Sequence, residues 1–66
     1  MAYLAVDKDG SELIFMNEPE RDRRIGWWFD PDEDTECEGG IGLPKGSIKK
    51  LIGKNLTWDD EPVEIQ

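Results

Sequence analysis

The chain predicts an α+β fold: a small antiparallel sheet of three to five strands with one short helix in its C-terminal half. Three observations carry this. Apolar stretches of strand length recur between turn-forming residues, and a single stretch, residues 47–53, has helical spacing. With 66 residues the chain is one domain, 1–66, with no room for a second.

Residues 2–6, Ala-Tyr-Leu-Ala-Val, read as the first strand. Asp7-Lys8-Asp9-Gly10 fits a type I turn, with Gly10 where φ must be positive. Residues 11–16 return as a second strand. Its run Leu13-Ile14-Phe15-Met16 puts apolar side chains on both faces, as in a strand covered on both sides. A helix of the chain can cover one face. The other needs a terminal segment or a second subunit.

Residues 17–24 are a run of mixed charge and read as a polar loop. Residues 25–30 read as a third strand, with Ile25, Trp27 and Phe29 on one face and Gly26 and Trp28 on the other. One tryptophan anchors the main core. The other, assigned here to Trp28, lies under the C-terminal segment, in a subunit contact or on a surface for a partner. Ile41 and Leu43 form a short strand or an extended lead-in. Ser47 is the expected N-cap of a helix whose stripe is Ile48, Leu51 and Ile52, and Gly53 is its stop. Lys49, Lys50 and Lys54 lie near its negative end. Leu56 with Trp58, and Val63 with Ile65, alternate as in two short strands joined by residues 59–62.

A domain of this size buries roughly 60% of its unfolded surface, so its stability is marginal unless a disulfide, a metal or association is added. The one cysteine, Cys37, forms no internal disulfide, suits a reducing compartment and leaves an intermolecular pair open. No apolar run approaches a membrane span, and the N-terminal residues lack the pattern of a signal peptide. A cytoplasmic protein is expected. The net charge of −8 repels nucleic acid and anionic membranes and attracts basic proteins. Six aromatic residues argue against disorder despite that charge.

The acids Asp30, Asp32, Asp34, Glu36 and Glu38 occur at every second position, with Glu33 between. Carboxylates suit calcium, but a calcium loop of the EF-hand kind needs Gly at its sixth position and Glu at its twelfth. Counted from Asp30 these are Thr35 and Ile41, so no metal site is assigned. The same row, with Asp59, Asp60, Glu61 and Glu64, has the charge to imitate a nucleic-acid backbone. The simplest reading of it is a solvated acidic loop.

Cys37 lies between Glu36 and Glu38, which disfavour a thiolate, and the chain has no histidine. No catalytic residue and no cofactor is therefore expected. Residues 39–47 hold Lys-Gly-Ser where a phosphate loop needs Gly-Lys-Ser/Thr, so turn and cap roles explain them better. Lys45, Lys49, Lys50 and Lys54 make one basic patch, read most simply as the solvated face of the helix.

Residues 3–15, YLAVDKDGSELIF, and 43–65, LPKGSIKKLIGKNLTWDDEPVEI, resemble small uncharacterised proteins from genomes of gut bacteria and their phages. The resemblance implies no activity and no binding residues, and suggests an origin in a phage or mobile element.

The expected function is a non-enzymatic acidic protein-binding module, of the kind a phage uses to inhibit a host or defence protein through an acidic, DNA-like surface. Trp28, Asp30, Asp32, Glu33, Asp34, Glu36 and Glu38 would carry the contact with a basic partner or with a second copy. No direct contact with nucleic acid or membrane is expected. The alternative is a homo-oligomeric structural or small-ligand-sequestering protein.

Overall fold

The computed structural model describes residues 2–31 and 40–65. Its strands are β1 (Ala2–Val6), β2 (Glu12–Phe15), β3 (Glu20–Asp22), β4 (Trp27–Phe29), β5 (Ile41–Leu43) and β6 (Val63–Ile65), with helix α1 (Ser47–Ile52) between the last two. Four strands form one antiparallel sheet in the order β5-β2-β1-β6, and β3 and β4 form a separate hairpin. This is the α+β architecture expected.

The first hairpin has the expected turn. Gly10 takes φ 92°, and its N–H donates to Asp7 O at 2.9 Å. The register pairs Tyr3 with Phe15 and Ala5 with Leu13, and Leu4 with Ile14 in between, so two apolar faces result.

Beneath α1, Leu4, Val6 and Ile48 are buried, with Ile14, Leu43, Ile52, Leu56 and Ile65 packed around them. On the opposite face Ala5, Leu13 and Phe15 lie under Trp28, flanked by Tyr3 and Trp58. Gly40 touches this second core. A Cβ there would stand 2.7 Å from the Phe15 ring, closer than carbon atoms approach, so only glycine lets the chain enter β5 at that point.

Four expectations are corrected. Residues 17–24 are not wholly loop, because β3 pairs with β4 through Glu20–Phe29, Arg21–Trp28 and Asp22–Trp27. The period-two signal is hidden because all three β3 residues are charged. Arg21 nevertheless faces inward, its guanidinium 4.6 Å from the Trp28 ring centre and 5.3 Å from that of Trp58.

Ser47 is not the N-cap. Gly46 holds that position with φ 91° and no side chain, while Ser47 Oγ donates to Pro44 O at 2.6 Å. The cap comes from β2: the Glu12 carboxylate accepts from the N–H groups of Gly46 at 2.6 Å and Ile48 at 2.8 Å. Leu51, assigned to the apolar stripe, is 57% exposed, because a helix of six residues turns only Ile48 fully onto the sheet. Gly53 ends the helix as expected, its N–H donating to Lys49 O at 2.8 Å.

Leu56 and Trp58 are not in a strand. A turn spans 57–60, with Asp60 Oδ2 accepting from Thr57 N at 2.8 Å and Asp60 N donating to Thr57 O at 3.0 Å. The segment thereby passes from one face of the sheet to the other. Leu56 joins the helix side and Trp58 the tryptophan side.

Candidate protein-binding face

Trp28 is fixed by its own chain. Its indole N–H donates to Val6 O at 2.8 Å and its backbone N–H to Asp7 Oδ1 at 3.0 Å. Trp58 meets it edge to face at a centroid distance of 6.0 Å. Only 2% of the residue remains exposed, so it is no surface for a partner. Of the three covers open to it in the sequence, the C-terminal segment is the one present.

Asp30 is likewise interior. It is buried, and its Oδ2 accepts from Asn17 Nδ2 at 3.0 Å. Asp32, Glu33, Asp34, Glu36, Glu38 and Cys37 lie outside the described residues.

Strand alternation then dictates what faces solvent. With Arg21 and Trp28 turned inward, the outer face of the β3–β4 hairpin carries Glu20, Asp22, Trp27 and Phe29. Trp27 is 49% exposed, and Ile25 in the adjoining turn is exposed as well. Trp27 pairs across the hairpin with Asp22, and half-buried Phe29 with Glu20. Asp22 also accepts from Arg24 N at 3.0 Å and lies 3.6 Å from the exposed Arg24 side chain.

The turn that sets this face needs glycine at one point. Gly26 has φ 79°, and a Cβ there would come within 3.1 Å of Lys8 Cβ. Its carbonyl accepts from Lys8 N at 3.0 Å, tying the hairpin to the β1–β2 turn.

Sequence reasoning placed Trp27 and Trp28 on opposite faces and left three covers open for Trp28; the structure buries it with Trp58 packed against it and leaves Trp27 half-exposed. The missing signal was the pairing of residues 20–22. Once Arg21 lies opposite Trp28, both point inward and Trp27 points out.

A concavity lies between the β1–β2 turn and residues 55–59, lined by Asp7, Lys8, Glu12, Lys45, Thr57 and Trp58 among others. Two of its carboxylates already serve the fold: Glu12 holds α1 and Asp7 holds Trp28. Burial pushes the Asp7 carboxyl above its ordinary value, a tendency opposed by the Trp28 N–H and reinforced by Asp9. Asp9 is held below its ordinary value by the Ser11 N–H, which donates to its Oδ1 at 2.9 Å.

Among the described residues, no group of three or more Asp, Glu, Cys or His is placed to hold a metal ion. No helix among them is long and apolar enough to cross a membrane. Comparison with family models, curated proteins and solved structures finds no match for the chain.

Proposed function

We propose that the chain is a non-enzymatic protein-binding module that takes a partner with a basic surface. The single observation carrying this is the position of Trp27. The chain buries Trp28 and packs Trp58 against it, yet leaves Trp27 half-exposed among acids. Tryptophan is enriched at the energetic centres of interfaces, where a ring of polar groups excludes water. Glu20 and Asp22 supply acids beside it, and the run from Asp32 to Glu38 follows three residues after Phe29. That charge attracts a basic protein from a distance and repels nucleic acid and anionic lipid. The partner class it suits best is a protein that itself binds nucleic acid. The cytoplasm is the compartment that suits the lone cysteine.

Affinity capture on the immobilised chain tests this, with two variants alongside. One is Trp27→Ser. The other replaces Asp32, Glu33, Asp34, Glu36 and Glu38 by their amides. Proteins retained at low salt, lost to both variants and displaced by excess duplex DNA support the reading. Retention of nothing, or retention indifferent to both variants, contradicts it.

A further inference from the structure

We infer that the helix side of the molecule is a separate interaction surface, which takes an acidic segment of another protein carrying apolar side chains. The inference is independent of the partner proposed above, since α1 and the hairpin that carries Trp27 lie on opposite faces of the main sheet.

Charge is sorted along the chain. Residues 40–58 contain four of the eight basic residues and none of the sixteen acids. The net charge of −8 is thus +4 on this stretch and −12 on the rest. The fold keeps the four lysines together and in water. Lys45 leads into α1, Lys49 and Lys50 lie in it and Lys54 follows its stop, and all four are exposed. Among the described residues none of them forms an ion pair, and the pair that does form, Arg24 with Asp22, is on the hairpin.

The same side leaves apolar groups in water. Leu51 on α1 is 57% exposed and Ile41 is 65% exposed. Ile41 alternates with Gly42, so it lies on the side of Leu43, which packs beneath the helix. Helix α1 turns only Ile48 fully onto the sheet, so Ile41 on the edge strand stays uncovered.

Charge and size together choose the occupant. Four such lysines attract an anionic group, while Leu51 and Ile41 offer nothing to phosphates or sugars. A duplex or a bilayer also outreaches this side of a molecule that spans 31 × 24 × 19 Å. Either would meet the rest of the chain, which is strongly acidic and repels it. A single protein segment stays within the patch. Its carboxylates meet the lysines, and its apolar side chains meet Leu51 and Ile41. Exposed ion pairs add little each, so the apolar contacts set the affinity and the lysines the specificity. The contact is small and belongs to the weak class of interfaces.

The test is a titration of the whole chain followed through its backbone amide shifts by NMR. The probe is a short synthetic peptide of glutamates interrupted by leucines. A control peptide has serines in place of the leucines. The leucine peptide is expected to bind below millimolar concentration, with shifts at residues 41 and 45–54 and none at 20–29. The serine peptide binds about tenfold more weakly. Lys49→Glu combined with Lys50→Glu weakens the leucine peptide about tenfold. Leu51→Ser weakens it about fivefold and leaves the serine peptide unchanged. All three positions are exposed, and unchanged shifts at residues 2–15 check that the variants keep the fold.

Phosphatidylserine vesicles and duplex DNA are titrated alongside. Absence of shifts with millimolar leucine peptide overturns the inference. So do shifts confined to other residues, equal binding of the two peptides, or binding indifferent to the lysine and leucine variants. Tighter binding of the vesicles or of the DNA to the same residues also overturns it.

Discussion

The two faces of the main sheet are covered by different means, and the difference explains how so short a chain closes a sheet on both sides. Under α1 the cover is aliphatic and local: one six-residue helix, placed by a single carboxylate from β2. Under Trp28 the cover is aromatic and assembled from distant parts of the chain, β4 and the segment carrying Trp58. An indole removes roughly 150–250 Å² from water, so two of them cover what would otherwise take a second helix. Each cover is apolar, but a polar side chain fixes its position. Glu12 clamps the helix, while Asp7 accepts from the Trp28 backbone N–H and the Arg21 guanidinium lies over the Trp28 ring.

The comparison breaks most severely at Trp28. Trp28→Ala removes the centre of the aromatic cover and costs about 3–5 kcal/mol. A domain of this length has roughly 3–10 kcal/mol in total, so denaturant unfolding of the variant should begin near zero denaturant.

Next is the clamp on the other face. Glu12→Ala leaves two N–H groups at the start of α1 without their carboxylate and costs about 2 kcal/mol. Glu12→Gln keeps one acceptor oxygen and should fall between the variant and the parent in the same unfolding experiment.

Arg21→Met separates the charge of Arg21 from the packing of its stem. The stem is kept and the cation over the rings is lost, so the expected cost is about 1 kcal/mol. A double-mutant cycle with Trp58→Leu measures the coupling.

The smallest effect is sharpest in its pH dependence. The carboxyl of Asp7 is raised from its ordinary value of 3.8 chiefly by burial. The folded state therefore holds that proton more tightly than the unfolded state. Its contribution to stability is fully present below 3.8 and is lost as pH rises through the folded value. Asp7→Asn keeps an oxygen for the Trp28 N–H and has no charge to bury. Thermal melts across the carboxylate range should show the parent losing ground to the variant as pH rises.

Much of this fold was legible in the sequence. Residues 2–16 announce a hairpin through period-two apolarity around a glycine turn, and residues 47–53 announce a helix through Ile48 and Gly53. The hairpin at residues 20–29 was only half visible, because β3 consists of Glu-Arg-Asp and its inward residue is an arginine. A pattern read as apolar against polar misses an inward cation whose partner is an aromatic ring. The helix cap was hidden for another reason. Glu12 stands 34 residues before the Gly46 N–H it accepts, and local capping rules look only next door. The candidate site shared the first difficulty. The acidic run and the opposite orientations of Trp27 and Trp28 were plain, but which tryptophan faced water depended on Arg21.

Hydrogen exchange of the three indole N–H groups, followed by NMR on the unmodified protein, tests the central claim most directly: the chain closes its second face with Trp28 and leaves Trp27 exposed. The account predicts that the Trp28 indole, bonded to Val6 O, exchanges only through opening of the core. The Trp27 indole should exchange as an exposed one does. Comparable exchange at Trp27 and Trp28, or protection of Trp27 in their place, contradicts it.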